Sequence, residues 1–164
     1  MLKKSVFLSL LIAAASQVMA LEQPVGRVIL TVTGAISETN QQGAAVFDRK
    51  MLEDLGMKTL VTSTPWTEGV NTFKGPKLQS LLDAVGANGT TLTITALNDY
   101  AAEMPAADAA AHDVLMAMEM NGENMRVRDK GPIFMLYPFD NEPSLNNEVI
   151  HNRSVWQVKS IHVQ

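Results

Sequence analysis

The chain has 164 residues, with 13 Lys and Arg, 17 Asp and Glu and no cysteine. A chain of this length holds one domain with its own core and is short for two. The lack of cysteine excludes disulfides, thiolate metal ligands and cysteine nucleophiles, and the acidic balance argues against a general binder of nucleic acid or anionic membranes.

The N-terminus has the pattern of a secretory signal peptide. Lys3 and Lys4 precede an apolar run over residues 6–15, which is too short to span a bilayer. Val18-Met19-Ala20 fits a cleavage site, so we expect residues 1–20 to be removed and residues 21–164 to form a periplasmic domain. No segment of that domain is apolar enough to insert into a membrane. The leader has no arginine pair, so we expect the general secretory route, in which chains cross the membrane unfolded.

Mature protein purified from the periplasm is expected to begin at Leu21, because the apolar run ends at a Val-x-Ala site. The mass of the N-terminal peptide tests this expectation. A chain that keeps Met1 or Leu2 would contradict it.

The first half of the mature chain predicts a strand and two short helices. Leu30–Gly34 alternates apolar and polar residues into a glycine, which is typical of a strand and turn. Asp48 can cap a helix that runs to Leu55 and ends at Gly56. A second helix is predicted over Pro76–Val85, because its apolar residues repeat at i, i+3, i+4 and i+7.

The middle of the chain predicts a strand, a short helix and a hairpin. Leu92–Thr95 has one polar and one apolar face, which indicates a strand. The alanine-rich stretch Pro105–Asp113 predicts one or two helical turns. Asn121-Gly122 favours a tight turn between strands at residues 115–120 and 125–127.

The C-terminal third predicts two further strands and a long loop. Ile133–Tyr137 is an apolar run bounded by prolines, and Val155–Val163 alternates except for a slip near Lys159 that indicates a bulge. Residues 140–152 form the longest polar stretch and are predicted to be a loop. The elements together predict one β-rich α+β domain with short helices.

Two residue types suggest a metal. Met116, Met118 and Met120 share one face of a predicted strand near His112, and thioethers bind copper(I). Methionine also packs well in cores, and we favour that interpretation, with a copper or metal carrier as an alternative. The histidines show no ligand spacing, and no local group of carboxylates predicts a catalytic site.

Seven short motifs follow one another along the mature chain. They are Leu30–Gly34, Leu52–Leu55, Phe73–Gly75 running into Leu78–Leu82, Asn98–Tyr100, Asn121–Glu123, Gly131-Pro132 and Trp156–Val163. In this order they resemble the molybdopterin-binding domain of sulfite-oxidase-type oxidoreductases. The resemblance covers nearly all of the mature chain and implies a sulfite-oxidase-like fold that binds a pterin.

The chain departs from the enzymes of that family at the metal. The family's cysteine, which binds molybdenum, precedes the position of Phe73, where this chain has Thr62, Ser63 and Thr64. A hydroxyl replaces a soft thiolate poorly. Phe134 stands where the enzymes usually carry an arginine. Their cofactor is also inserted before a folded export, which the general secretory route excludes. We therefore expect no molybdenum and no catalysis, with a molybdopterin-dependent oxidoreductase as the alternative.

Three further motifs resemble one branch of the family. They are Arg128–Pro132, Tyr137-Pro138 and Arg153–Gln157. Members of that branch are similar to periplasmic pterin-binding proteins that contact the periplasmic domains of membrane-bound cyclic-di-GMP enzymes. The resemblance therefore implies a protein that senses a pterin and regulates such an enzyme.

A pterin is a flat heteroaromatic ring, so its site needs aromatic faces and a carboxylate or amide at its 2-amino-pyrimidinone edge. We predict contacts of three kinds: an edge at Asn98 and Asp99, faces at Trp66, Tyr100 and Tyr137, and a polar tail held by Arg128 and Arg153. Thr64 joins this set because it lies beside the position of the missing metal ligand. Asp99 is expected to make the strongest single contact. Trp156, in an alternating run, is predicted to belong to the core.

Overall fold

The computed structural model of the protein describes residues 20–164, so the predicted leader lies outside the described residues except for Ala20. Between residues 20 and 164, no helix is long and apolar enough to cross a lipid bilayer. In chain order the elements are β1 Val28–Gly34, β2 Ala44–Asp48, α1 Arg49–Asp54, β3 Met57–Thr64, β4 Thr67–Pro76, α2 Leu78–Ala84, β5 Thr91–Ala96, β6 Ala101–Pro105, α3 Asp108–Ala111, β7 Leu115–Ala117, β8 Glu119–Met120, β9 Glu123–Asn124, β10 Phe134–Leu136, α4 Glu148–Arg153 and β11 Val158–Val163. Two 3-10 turns, Val127–Asp129 and Pro143–Leu145, complete them.

The larger sheet has five strands in the order β2-β1-β11-β5-β6. The first and last strands, β1 and β11, pair in parallel at its centre, and the other pairs are antiparallel. The pairing of β11 with β5 shifts register between Val158 and Ser160, which confirms the predicted bulge at Lys159. The predicted strand began too early, because residues 155–157 lie outside β11.

A second sheet has the order β3-β4-β8-β9, and β7 and β10 form a separate pair. The β3–β4 hairpin was not predicted, because its exposed polar residues hide the alternation. The backbone of β7 approaches β4 so closely that a Cβ at Gly75 would overlap the carbonyl oxygen of Met116. The second sheet is therefore joined to the β7–β10 pair at a position that requires glycine.

Helices α1 and α2 follow their sequence signals. The carboxylate of Asp48 accepts a hydrogen bond from the amide of Met51 at 2.9 Å, which confirms the predicted cap of α1. It also accepts from the amides of Val25 and Gly26, and these bonds together lower the pKa of Asp48. Helix α2 begins later than predicted, because Pro76 still pairs with Met57 as the last residue of β4.

The methionine face belongs to the core, as favoured from the sequence. Met116 and Met118 have no exposed surface, and Met120 packs against the same buried cluster. The thioethers of Met116 and Met118 are therefore not available to a metal at the surface. This burial argues against the copper-carrier alternative.

The predicted hairpin is shorter than expected. Asn121 and Gly122 have positive φ angles of 52° and 83° and connect β8 to β9, which confirms the turn. The incoming chain breaks at Met118, whose amide donates to the carbonyl of Lys74. After β9 the chain enters the 3-10 turn at Val127–Asp129, so no strand continues through residues 125–127.

The loop predicted over residues 140–152 was wrong in its second half. Helix α4 begins after Asn147, whose side chain accepts a hydrogen bond from the amide of Ile150 at 3.1 Å. Only Ile150 of this helix is buried. The apolar periodicity that signals an amphipathic helix is therefore missing.

Candidate functional site

A pocket of about 320 Å³ lies where β5 turns into β6, between that turn, the β3–β4 connection and α4. This volume lies in the range of small-molecule sites. The lining residues come from three separate parts of the chain: Trp66, then Ala96, Asn98 and Tyr100, then His151, Asn152, Ser154, Val155 and Trp156.

Aromatic rings form the wall of this pocket. Trp66 is half-buried, and its ring packs edge to face against Trp156, with 5.5 Å between the centroids, and against His151 at 5.3 Å. Phe134 and Phe139 support Trp66 from behind at 5.8 and 5.9 Å. Trp66 is thus held by the core on one side and faces the pocket on the other.

Trp156 lines the pocket and is not a core residue, which corrects the prediction. The residue is 37% exposed, and it precedes β11 instead of belonging to it. The ammonium of Lys130 lies 5.3 Å from the ring centroid, a distance at which a cation and an aromatic face attract.

Amides and a hydroxyl provide the polar edge of the pocket. The side-chain oxygen of Asn98 accepts a hydrogen bond from the amide of Tyr100 at 3.1 Å, which fixes the turn. The Tyr100 hydroxyl donates to the carbonyl of Asn152 at 3.1 Å and so joins the turn to α4. The side-chain nitrogens of Asn98 and Asn152 remain donors that can serve a ligand.

Asp99 is placed apart from the pocket. It occupies the left-handed region with a φ of 66°, and its exposed carboxylate accepts a hydrogen bond from Lys159 at 2.5 Å. That contact lowers the pKa of Asp99. The carboxylate therefore faces Lys159 and does not line the pocket, whose polar groups are the amides of Asn98 and Asn152 and the hydroxyl of Tyr100.

Tyr137 is also outside the pocket, which corrects its prediction as an aromatic face. It is fully buried, and its hydroxyl donates to the carboxylate of Asp108 at 2.7 Å. Burial and this hydrogen bond raise the pKa of Tyr137 far above its usual range. Arg153 donates to the same oxygen at 3.0 Å. Arg153 thereby anchors the end of α4 and lines a shallow groove beside the pocket, together with Tyr100 and Asn152.

The hydroxyls near the missing metal ligand are engaged within the protein. Thr64 is buried, with its Oγ1 2.7 Å from Oγ1 of Thr67, and it accepts a hydrogen bond from the amide of Trp66. Ser63 donates to Asp140 through both its hydroxyl and its amide, which lowers the pKa of Asp140. Thr64 therefore positions Trp66 rather than facing the pocket.

Of the residues not yet placed, Arg128 lies outside the pocket and His151 lines it. Arg128 is well exposed on the 3-10 turn beside Asp129 and does not line the pocket. His151 lines the pocket and is hydrogen-bonded through Nε2 to Asn146, although its spacing in the sequence gave no signal. Within residues 20–164, no three His, Asp or Glu side chains cluster as a metal site.

The structure thus brings together three of the eight predicted residues, Trp66, Asn98 and Tyr100, and adds residues of α4 and Trp156. The capping Asn147 was a signal that could have revealed α4. Trp156 lies in the Arg153–Gln157 motif, which had already been singled out.

Comparison with known proteins identifies the family. The family model described as the oxidoreductase molybdopterin binding domain matches residues 42–139, more than half of the chain. That range includes Trp66, Asn98 and Tyr100, whereas α4 and Trp156 lie beyond it. No curated protein matches the chain. The β-rich α+β fold agrees with the match, and the chain belongs to the family of oxidoreductase molybdopterin-binding domains.

Proposed function

We propose that the protein is a periplasmic pterin-binding regulator that senses a pterin and controls a membrane-bound cyclic-di-GMP signalling enzyme through that enzyme's periplasmic domain. Membership of a family whose domain binds molybdopterin, itself a pterin, supports the ligand class. The motifs at Arg128–Pro132, Tyr137-Pro138 and Arg153–Gln157, which resemble the regulatory branch, support the role.

The observation that carries the ligand assignment is the composition of the pocket. Two tryptophan rings and a tyrosine stand beside two side-chain amides in a space of about 320 Å³. A pterin offers flat π-faces and a donor–acceptor edge, so each group in the pocket has a complementary group on the ligand. Neither stacking on the π-faces nor hydrogen bonding at the edge of the pterin requires a metal.

The residues present do not fit molybdenum. The chain has no cysteine, and the hydroxyls of Ser63 and Thr64 are hydrogen-bonded to Asp140 and Thr67. Phe134, at the position of the family's usual arginine, is fully buried against Phe73 and Trp66. A soft metal would find neither a thiolate nor a free anionic ligand here. These features support a non-catalytic role over the oxidoreductase that the family usually represents.

Elemental analysis of protein purified from the periplasm is expected to show no stoichiometric molybdenum, because no side chain can donate a thiolate. A protein of the same family that retains the cysteine serves as the positive control. About one molybdenum per chain would overturn the proposal and favour the oxidoreductase alternative.

The ligand is tested by extraction and titration. Small molecules released from the periplasmic protein are expected to include a fluorescent pterin after oxidation. Calorimetric titration with tetrahydropterin and dihydropterin gives the affinity directly. A protein that binds neither compound at about 100 μM, which corresponds to a weak interaction, would end the pterin proposal.

A further inference from the structure

A second concave surface lies next to the pocket and is lined in part by basic side chains. It is a groove of about 640 Å³ between β1, the bulge of β11 and the segment that follows β9. Arg27, Arg126 and Lys159 stand along its rim. We call it the cationic groove.

In the described chain, positive charge is concentrated at this surface and negative charge elsewhere. Arg27, Arg126 and Lys159 line the groove, and Arg128 and Lys130 follow on the segment that borders it, so five of the eleven Lys and Arg in residues 20–164 lie in the groove or beside it. Asp99 and Asp129 lie among them, which leaves an excess of three positive charges. The remainder carries six Lys and Arg against fifteen Asp and Glu. A positive region on an acidic protein attracts anionic partners to that region.

The floor of the cationic groove is apolar and open to solvent. Val28, Leu97 and Val127 are 37%, 45% and 52% exposed and lie between the cations. Large exposed apolar side chains grouped in a concavity with a charged rim are typical of a protein interaction site.

The groove is connected directly to the ligand pocket. Gln157 accepts a hydrogen bond from the amide of Leu97 through its carbonyl and donates its side-chain amide to the carbonyl of Val127. Leu97 precedes Asn98, and Trp156 precedes Gln157, so one short stretch of backbone has the pocket on one side and the groove on the other. An occupant of the groove would therefore meet the rim of the pocket.

We propose that the cationic groove is the docking surface for an acidic segment of a protein partner, in which carboxylates alternate with aliphatic or aromatic side chains. The carboxylates pair with Arg27, Arg126 and Lys159, and the apolar side chains cover Leu97 and Val127. A lipid surface fits less well, because the groove is concave and two carboxylates lie among its cations. The inference rests on the proposed function only in taking the partner to be a protein, and it requires no bound pterin.

The test uses processed protein and a fluorescein-labelled peptide of Glu-Glu-Leu repeats, with Lys-Lys-Leu and Glu-Glu-Ser repeats as controls. Fluorescence anisotropy is expected to show binding of the first peptide, weaker binding of the serine peptide and none of the lysine peptide. Removing two charges with Arg27→Gln and Arg126→Gln is expected to weaken binding about tenfold. The same charge change at the exposed Lys58 and Lys74 of β3 and β4 is the matched control, with an effect below about twofold.

The apolar floor has its own pair of variants. Leu97→Asn with Val127→Asn is expected to weaken peptide binding about tenfold. Val61→Asn with Val70→Asn, at positions that are also exposed but lie on β3 and β4, is expected to have little effect. Equal losses in the groove variants and their controls would overturn the proposal. So would a wild-type dissociation constant above about 1 mM.

Two further measurements separate the alternatives. Phosphatidylglycerol vesicles that bind the protein and displace the peptide would assign the groove to a membrane and overturn the proposal. The Arg27→Gln and Arg126→Gln variant is expected to keep its affinity for tetrahydropterin, since neither residue lines the pocket. If this variant loses peptide binding and keeps pterin binding, the result supports the groove as the docking surface. If the wild-type protein binds the peptide but no pterin, the proposed function fails and the docking proposal stands.

Discussion

Asp108→Ala is expected to lower the free energy of unfolding by about 3 kcal/mol. The carboxylate of Asp108 is nearly buried and accepts hydrogen bonds from the Tyr137 hydroxyl at 2.7 Å and from Arg153 at 3.0 Å. Without it, a fully buried phenol and a three-quarters-buried guanidinium lose their common acceptor. Urea denaturation of the processed protein, followed by circular dichroism, measures the change.

Two variants control this result. Asp113→Asn removes an exposed negative charge that pairs with Lys77 at the surface and keeps a residue type that tolerates the left-handed backbone of this position, so it is expected to change stability by less than about 0.5 kcal/mol. Tyr137→Phe removes one hydrogen bond and keeps the packed ring, for an expected loss of about 1 kcal/mol. If Asp108→Ala were as stable as Asp113→Asn, then Asp108, Tyr137 and Arg153 would not act as a buried unit, and α4 would have to be held by its other contacts.

The hydrogen bond between Arg153 and Asp108 also links the stability of the fold to the shape of the pocket. Arg153 is the last residue of α4, and the helix also carries His151 and Asn152 into the pocket. The hydrogen bond from Tyr100 to the carbonyl of Asn152 closes the connection to the β5–β6 turn. The position of the pocket wall therefore depends on the carboxylate of Asp108 in α3, a residue that does not line the pocket.

Structural features that depend on only a few neighbouring residues were predicted correctly from the sequence. The Asp48 cap, the Asn121-Gly122 turn and the bulge at Lys159 each depend on local backbone chemistry, and each is present. The β3–β4 hairpin and α4 were missed. Their outer residues are polar, and their stability comes from partners distant in the sequence.

Part of the site could be predicted from the sequence, because some of its residues lie in short motifs. Hydrophobic periodicity gave no indication of the site. Trp66, Asn98 and Tyr100 lie in motif segments and meet in the pocket. Tyr137 was misassigned because nothing around it in the sequence reveals Asp108, its partner from another element. Trp156 was misassigned because the alternation of β11 was extended backwards past the point where the strand begins, at Val158. Side-chain direction at the end of a strand is decided by tertiary contacts, which a single sequence does not display.

Trp156→Ala is expected to weaken binding of tetrahydropterin about thirtyfold, or about 2 kcal/mol. Trp156 is 37% exposed and its ring forms one wall of the pocket, so the substitution removes both a stacking face and apolar area that would cover the ligand. The cost in stability is expected to be modest, because Phe134 and Phe139 continue to hold Trp66 in place. Calorimetric titration of the processed protein measures the affinity.

Trp156→Phe is the matched control and is expected to keep the affinity within about threefold, because a phenyl ring still offers a face. Asp99→Ala is the second control. From the sequence alone it was expected to cause the largest loss, but its carboxylate faces Lys159 outside the pocket, so the expected change is now small. The opposite pattern, with full affinity in Trp156→Ala and a large loss in Asp99→Ala, would place the ligand on the Lys159 side of the turn. The pterin would then lie against the cationic groove, and the amides of Asn98 and Asn152 would have no part in binding it.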